Sequence, residues 1–382
     1  MKVVFWVSLF LLLYTHLLYP AVLYLMALYI RRRPLVNNND YDAKISIVIA
    51  IHNEENVISK KLQNILDSIS HPSLGKNVEI ILASDGSSDN TVAIANKFKQ
   101  YMNLKILSLS RQGKALAHNE AIKNANGELI IFTDADAEFD TAFIKNVANY
   151  FSLKDVGCVT GNLIYKPTNS AISKSESLYW KIERKIRSLE SNIGILATAS
   201  GACMAVRKEL WLDLTPTDDS DFITPLDVVL QGYRVIFAPD AIAYDIPPSS
   251  VKGEFKTRIR QTSKNFIGTL RRWGWVGLAK HPFVSWGLVS HKILRWLTPF
   301  FMFLVLLGDL LLLREGFLYR LIFVKQIIFY CTAIVGFFGE VVKIRLPVAS
   351  AVFSFCVASF GMGVGVIKSI VGKAPSLYGL ED

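Results

Sequence analysis

The feature that most constrains this chain is an N-terminal run, residues 3–30, that contains no Asp, Glu, Lys or Arg. A helix needs about 20 apolar residues to cross a bilayer, so this run is long enough to span with some tilt. A cleaved signal peptide has a shorter apolar region, of about 7–15 residues, which ends at a small-residue cleavage site. Because the run is longer, lacks such a site and stops at three arginines (31–33), we expect a retained anchor. Arginines beside a span favour the cytoplasmic side, which places the middle of the chain there.

A second apolar region follows residue 280 and contains three candidate spans, at 296–313, about 321–339 and 346–367. Asp309 lies in the first of them, where a carboxylate is either functional or close enough to the span's end to reach the interface. Segment 284–295 mixes Trp, Leu and Ile with His and Lys, which is typical of an interfacial amphipathic helix.

The charge of the chain is basic, with 42 Lys and Arg against 32 Asp and Glu and a formal net charge of +10. No groove-reading motif or zinc-finger spacing accompanies this charge. We therefore attribute it to contact with anionic membrane lipids and expect no nucleic-acid partner.

These changes of composition divide the chain into six segments. They are an anchor (1–33), a linker (34–43), a catalytic domain (44–275), an interfacial segment (276–295), C-terminal transmembrane helices (296–373) and a tail (374–382).

Apolar runs alternate with amphipathic stretches in the first half of the middle domain, which predicts a parallel α/β sheet. The predicted strands are 44–51, 78–83, 104–107 and 129–132, and the predicted helices are 53–70, 90–101 and 114–125. Polar or acidic residues follow all four strands. Turn chemistry would explain any one of these strand ends. Because ligands of such sheets bind beyond the carboxyl ends of the strands, four together indicate a site.

Asp134-Ala135-Asp136 is the most specific motif of that edge and follows the fourth strand after Thr133. Two carboxylates so spaced can aim at one point, and their charge suits a hard divalent cation. Such a cation would neutralise a diphosphate leaving group. The sequence therefore predicts Mg²⁺ or Mn²⁺ at Asp134 and Asp136.

The chain resembles the family 2 glycosyltransferases over roughly residues 44–265. The segments that carry the resemblance, in order, are SIVIAIHNEE, EIILASDGSSDNT, GKALAHN, GELIIFTDADAEF, SGACMAVR and DSDFITPLDVVLQGYRVIF. The resemblance implies an α/β GT-A fold, the fold of nucleotide-diphospho-sugar transferases, with a mostly parallel sheet. It also implies inverting transfer of a sugar from a nucleotide donor. The flanking spans are similar to the bacterial inner-membrane branch that includes poly-N-acetylglucosamine, cellulose and hyaluronan synthases.

The resemblance also implies roles for individual residues on the donor side. Family members often have two aspartates before the glycine of the DGS segment, whereas this chain has Ser84 before Asp85. Asp136 is expected to be the more direct metal ligand. A nucleotide-sugar, with a UDP-sugar favoured, would bind at His52, Asn53, Glu54, Asp85, Lys114 and Asp134.

An inverting transfer needs a general base on the acceptor side. The family places it about eleven residues before a Gly-Tyr-Arg segment, and counting back from Gly232 gives Asp221. The usual acidic neighbour is Ser220 here, so Asp219 is the alternative base if the register slips. Asp221 would otherwise serve as the N-cap of a predicted helix, 222–231.

The acceptor side is where the chain departs from the processive synthases. These carry Gln-x-x-Arg-Trp, whereas this chain has Gln261-Thr262-Ser263-Lys264-Asn265 and so lacks the tryptophan that stacks on a sugar. Arg258 and Arg260 either bind a phosphate or face lipid headgroups. The residues expected on the acceptor or diphosphate side are Ser200, Gly201, Arg258, Arg260, Gln261 and Lys264.

We therefore expect a membrane-bound glycosyltransferase that makes a single or short transfer onto a lipid-linked or glycan acceptor. Processive exopolysaccharide synthesis is the alternative. Two other classes are a membrane-anchored metal-dependent phosphohydrolase and an inactive partner of an export complex. The phosphohydrolase would not need Asp85, Lys114 and Asp221 in this order. An inactive partner would be signalled by a missing aspartate pair or a missing base, and both are present here.

Overall fold

The computed structural model describes residues 1–30, 41–69, 77–166, 171–246, 250–344 and 346–374, without the side chains of 171–179. The arginines at 31–33, most of the predicted linker 34–43 and nearly all of the predicted tail 374–382 lie outside the described residues.

An eight-stranded mixed sheet forms the centre of the protein. Its strands are β1 (Ile45–Ile51), β2 (Val78–Asp85), β3 (Leu104–Leu109), β4 (Leu129–Phe132), β5 (Glu138–Phe139), β6 (Val156–Tyr165), β7 (Met204–Arg207) and β8 (Arg234–Asp245). They lie in the order β3-β2-β1-β4-β7-β6-β8-β5. β1 to β4 pair in parallel, as do β6 and β8, whereas β7 is antiparallel to both neighbours and β5 is antiparallel to β8. The expected α/β fold with a mostly parallel sheet is confirmed.

Helices cover both faces of the sheet and continue into the apolar ends of the chain. They are α1 (Lys2–Leu13), α2 (Tyr19–Tyr29), α3 (Ile58–Ile69), α4 (Thr91–Asn96), α5 (Lys114–Lys123), α6 (Phe143–Tyr150), α7 (Ala171–Ile193), α8 (Ser220–Leu230), α9 (Val251–Arg272), α10 (Gly274–Lys280), α11 (Pro282–Leu288), α12 (Leu294–Trp296), α13 (Thr298–Leu312), α14 (Phe317–Val341) and α15 (Pro347–Ile370).

The central strand β1 shows why the sheet is buried on both sides. Ile47 and Ile49 pack into one hydrophobic core, which includes the apolar stripe of α3, and Val48 packs into the other, which includes α5 and α8. A β-branched run without polar alternation is what a strand between two helical layers requires. The carboxyl ends of β1, β2 and β4 are thereby held at one edge.

The predicted strands of the first half are confirmed, and β2 and β3 each extend two residues further toward that edge. The helix expected to begin at residue 53 begins instead at Ile58. Asn53 does not adopt a helical conformation, because its φ is 55° and its backbone N–H donates to Ser87 Oγ at 3.2 Å. This contact ties the segment after β1 to the loop after β2.

Three described helical segments are long and apolar enough to cross a membrane: Lys2–Tyr29, Phe317–Val341 and Pro347–Ile370. The first joins α1 to α2 through a π-helical segment, Tyr14–Leu18. Pro282–Trp296 and Thr298–Leu312 form a pair bent by 62°, which would make a fourth span if they cross together. The expected apolar helices at both ends are confirmed. Asp309 is fully buried within α13 instead of reaching the surface.

Two glycines of α15 bring it against α9, the helix that carries Arg258 and Gln261. A Cβ added at Gly361 would lie 3.0 Å from Arg258 Cβ, and one added at Gly365 would lie 2.9 Å from the carbonyl oxygen of Ile259. Small residues four apart permit such close approach of helices within membranes. α9 therefore links the sheet edge to a candidate span.

Candidate active site

Two adjoining cavities lie at the carboxyl edge of the sheet. The first, of about 400 Å³, is lined by the residues that follow β1, β2 and β4, and we call it the sheet-edge cavity. The second, of about 180 Å³, reaches α7, α12 and α15, and we call it the helix-side cavity. The residues that line both cavities include Asp134, Gly201, Asp219, Asp221 and Gln261. Carboxylates therefore occupy the junction between them.

The structure brings most of the sequence-predicted residues together here. Ser200 lines the helix-side cavity, and Arg258 lines both. Asn53 and Lys264 are not among the described residues that line either cavity. Those that line the sheet-edge cavity include His52, Glu54, Asp85, Lys114, Asp136 and Arg260.

Lys114 and Asp134 form an ion pair at the junction, with Nζ 2.5 Å from Oδ1. Burial alone would lower the pKa of Lys114 and raise that of Asp134. The pairing overrides both effects, so the pKa of Lys114 is raised and that of Asp134 is lowered. Lys114 begins α5 directly after Gly113, whose φ of 98° favours glycine. The glycine-lysine pair thus turns the chain so that the lysine faces the aspartate.

A buried lysine supports the Asp134–Asp136 loop from behind. Lys61 is 2% exposed, and its Nζ donates to Thr133 Oγ1 and to the carbonyl oxygen of Ala137, both at 2.6 Å. Its ammonium also lies 4.3 Å from the centre of the Phe139 ring. Burial lowers the pKa of Lys61 to about 7. The lysine thus fixes the loop on both sides of the two aspartates.

Carboxyl groups around Asp136 carry more negative charge than their neighbours compensate. Burial, followed by the charge of Asp134, raises the pKa of Asp136. Burial and the charge of Asp136 likewise raise the pKa of Glu54, and raise that of Asp245, at the end of β8, to about 7. A positively charged ligand would reduce the repulsion among these carboxylates.

This donor set fits a divalent cation held jointly with a substrate. Among the described residues, no group of three or more His, Cys, Asp or Glu side chains is arranged to hold a metal by itself. Mg²⁺ is commonly bound by one or two carboxylates together with substrate phosphates, so Asp134 and Asp136 are a sufficient protein contribution.

Asp85 organises the loop opposite the cluster. Its Oδ1 accepts the backbone N–H of Gln112 at 2.7 Å, and its Oδ2 accepts that of Gly113 at 2.9 Å. The carbonyl oxygen of Asp85 lies 2.8 Å from His52 Nδ1. The DGS aspartate therefore joins the segments after β1 and β3 at the rim of the sheet-edge cavity.

Asp221 is held where the two cavities meet. Its Oδ2 accepts the backbone N–H of Gly201 at 3.1 Å, and its carbonyl oxygen accepts that of Ala199 at 2.9 Å. Asp219, not Asp221, occupies the N-cap position of α8. Burial, followed by the charge of Asp219, raises the pKa of Asp221 to about 6. A carboxylate of this kind can take a proton near neutral pH.

Several other charged residues nearby are held by ion pairs or buried. Asp218 is buried and forms ion pairs with Arg271 and Arg272, which fastens the end of α9 to the loop before α8. Arg258 Nε donates to Glu254 Oε1 one turn earlier on α9. Lys264 is buried on the same helix, and burial lowers its pKa.

Sequence reasoning missed several residues of the site. Lys61 could have been found from its position on the apolar face of a predicted helix. Asp245 could have been found as an aspartate at the end of a strand. No local signal marked Trp180 and Arg187 of α7, which line the helix-side cavity from a helix that was not predicted.

Residues 46–213 match the family described as Glycosyl transferase family 2. The chain is 31% identical over 224 residues to a poly-beta-1,6-N-acetyl-D-glucosamine synthase of Staphylococcus epidermidis, covering 56% of this chain and 53% of that protein. It is 28% identical over 239 residues to the enzyme of the same name from Staphylococcus aureus (strain MSSA476), covering 60% and 56%. The chain thus spans about half the length of the curated relatives it matches.

A solved structure is similar over nearly the whole chain. It is the mannosyltransferase PcManGT from Pyrobaculum calidifontis, in complex with GDP-Man and Mn²⁺, with a TM-score of 0.71 and 17% identity, covering 97% of this chain and 99% of that one. At this identity the likeness concerns the fold, and the expected GT-A fold with terminal apolar helices is confirmed.

Proposed function

Because residues 46–213 of this chain match the family 2 glycosyltransferases, we propose that the protein moves a sugar from a nucleotide-sugar to a membrane-associated acceptor with inversion. The observation that carries the proposal is the position of Asp221, which lines both the sheet-edge and the helix-side cavity. A base placed there can act on an acceptor in one cavity while the donor occupies the other.

The proposed reaction needs one proton transfer. Asp221 takes the proton from the acceptor hydroxyl while that oxygen forms a bond to the anomeric carbon. The bond between the anomeric carbon and the diphosphate oxygen breaks, and the nucleoside diphosphate leaves from the opposite face of the sugar. No covalent intermediate is required. The N–H of Gly201 holds Asp221 in position.

The donor lies in the sheet-edge cavity in this proposal, with its nucleoside against His52, Glu54 and Asp85. A divalent cation, Mg²⁺ or Mn²⁺, held by Asp134 and Asp136 would neutralise the leaving diphosphate. Lys114 orients Asp134 through their ion pair. The names of the two staphylococcal synthases support an N-acetylhexosamine as the transferred sugar.

The acceptor is proposed to be a lipid-linked glycan at the bacterial inner membrane, with the catalytic domain on the cytoplasmic side. The helix-side cavity borders α12 and α15, so an acceptor held at the membrane would reach Asp221. Holding it there removes much of the orientational cost of transfer. Processive exopolysaccharide synthesis is the second candidate, which the names of the two staphylococcal relatives favour.

Product analysis tests both candidates. Membranes that contain the full chain are incubated with labelled UDP-, GDP- or dTDP-sugars and Mn²⁺, and products are separated by size and by extraction into organic solvent. A discrete lipid-extractable product that is absent with Asp221→Asn supports the proposal. A high-molecular-weight, lipid-free polymer made by this protein alone would establish the second candidate, and no transfer from any donor would refute both.

A further inference from the structure

A cluster of positive side chains surrounds one buried carboxylate at the end of the helix-side cavity that faces the membrane helices. Glu183 of α7 is 2% exposed. Its oxygens lie 2.5 Å from Lys292 Nζ, 2.7 Å from Arg295 Nη1 and 3.3 Å from Arg187 Nε. His291 Nε2 lies 3.0 Å from the same carboxylate. We call Glu183, Arg187, Lys292 and Arg295 the cation cluster.

The cation cluster holds more positive than negative charge. A second carboxylate, Glu190, lies 2.8 Å from His291 Nδ1 and accepts the hydroxyl of Tyr19 at 2.7 Å. With both carboxylates counted and His291 left out of the sum, Arg187, Lys292 and Arg295 leave one positive charge in excess among these residues. Each of these three side chains is only 11–13% exposed. Burying excess charge is costly, which suits a site that receives an anion.

The cluster faces the same cavity as the proposed base. All four of its residues line the helix-side cavity together with Asp221. Thr198 lines it as well, with 4% exposure, and its hydroxyl has no hydrogen-bond partner among the described residues. A buried hydroxyl that lines the same cavity as three cations is a donor available to a phosphate oxygen.

An apolar groove of about 290 Å³ continues from the cluster into the membrane helices. It lies between the segment that joins α1 to α2, α7 and α15, and its lining includes His16, Pro20, Ile186, Ala351 and Phe355. The groove and the helix-side cavity share Glu183, Arg258, Arg295 and Met362. A path therefore leads from candidate membrane spans, past the cation cluster, to Asp221.

We propose that the cation cluster binds the phosphate or diphosphate of a long-chain lipid acceptor whose chain lies in the apolar groove. A sugar hydroxyl beyond that phosphate then reaches Asp221. This inference deepens the proposed function and rests on it. The donor diphosphate is a poorer occupant, because Arg187, Lys292 and Arg295 are absent from the described lining of the sheet-edge cavity. A free phosphate would leave the groove without a role.

A binding measurement tests the inference without requiring transfer. The full chain in phosphatidylcholine nanodiscs is titrated with a polyprenyl diphosphate, the polyprenol of the same length and inorganic diphosphate. The variants are Arg187→Gln, Lys292→Gln and, as a matched control, Lys185→Gln, which removes an exposed cation from the same helix. Nucleotide-sugar binding is recorded for each variant to establish that it is folded.

We expect polyprenyl diphosphate to bind wild type and Lys185→Gln equally, and to bind Arg187→Gln and Lys292→Gln at least about tenfold more weakly. The two partial probes should bind more weakly than the complete lipid. Equal binding of polyprenol and polyprenyl diphosphate, or of Arg187→Gln and Lys185→Gln, would overturn the inference. If inorganic diphosphate binds as tightly as the lipid, the source is a free anion and the inference also fails. Loss of transfer with lipid binding intact would count against the proposed function alone.

Discussion

The backbone N–H of Gly201 donates to Oδ2 of Asp221 at 3.1 Å, across a separation of twenty residues. A Cβ at position 201 would lie 3.5 Å from that oxygen, so the two segments are already in close contact. The carbonyl oxygen of Asp221 is bound as well, by the N–H of Ala199. Side chain and backbone of Asp221 are therefore both fixed to the segment that precedes β7, and the carboxylate cannot turn away from the cavity junction without breaking these bonds.

The pH dependence of transfer should report the ionisation of Asp221. Burial and the charge of Asp219 raise the pKa of Asp221 to about 6. A base must be deprotonated, so kcat/KM should fall as the pH drops below about 6 and level off above it. We expect Asp221→Asn to bind nucleotide-sugar normally and to lose transfer by about 100-fold or more. A pH–rate profile measured with saturating donor checks this.

Asp219→Asn is the matched variant for that experiment. Removing the charge of Asp219 should lower the pKa of Asp221 and move the acid limb of the profile to lower pH, with transfer retained. The two carboxyls interact, so the limb observed in the wild type belongs to the pair. If Asp219→Asn is inactive and Asp221→Asn is active, the base is Asp219.

The role of Asp136 predicts dependence on a divalent cation. A neutral amide is a poor replacement for a charged ligand, so Asp136→Asn should lower kcat/KM by about 100-fold or more. Chelation of the wild type should have a similar effect, and added Mn²⁺ or Mg²⁺ should reverse it. Asp140→Asn, at the residue that immediately follows β5, serves as control. Full activity of the wild type in excess chelator would contradict the prediction.

The sequence predicted the site best where the functional residues lie next to predicted strands. His52, Asp85, Lys114 and Asp134 each lie at the end of a strand or within a few residues after one, and parallel strands bring their carboxyl ends to one edge. The site could therefore be assembled from short segments. Asp221 was identified by its spacing from Gly232, eleven residues later. Its contact with Gly201 could not be predicted from either segment alone.

The helix-side cavity could not be predicted for a physical reason. Its walls come from α7, α9, α12 and α15, and the contacts between them depend on side chains more than a hundred residues apart, such as Glu183 and Lys292. Periodicity identifies an amphipathic helix but does not identify what its apolar face meets. Segment 284–295 accordingly resembled an interfacial helix, whereas Ser290 and His291 within it are buried in the protein.

Lys61 should affect the cation without touching substrate. Lys61→Met removes the two hydrogen bonds to Thr133 and Ala137 that hold the Asp134–Asp136 loop. Loss of a residue that orients a metal ligand typically costs about 10–100-fold in metal affinity or activity. We expect the Mn²⁺ concentration for half-maximal transfer to rise by that factor. Lys60→Met removes the neighbouring, exposed lysine and should have little effect, and equal behaviour of the two variants would refute the role of Lys61.

Because α15 packs against α9, a substitution in α15 should alter the acceptor side of the site. A Cβ at Gly365 would lie 2.8 Å from Thr262 Cβ and 2.9 Å from the carbonyl oxygen of Ile259, distances that require α9 or α15 to move. Overpacking of this kind costs about 1–3 kcal/mol. Gly365→Ala should therefore lower the thermal unfolding temperature in detergent, and transfer should fall more than donor binding, because Gln261 and Thr262 line the helix-side cavity.

Ile367→Ala, at a position of α15 that is 51% exposed, is the control and should leave transfer unchanged. If Gly365→Ala transfers as fast as Ile367→Ala, α15 does not position α9 for catalysis.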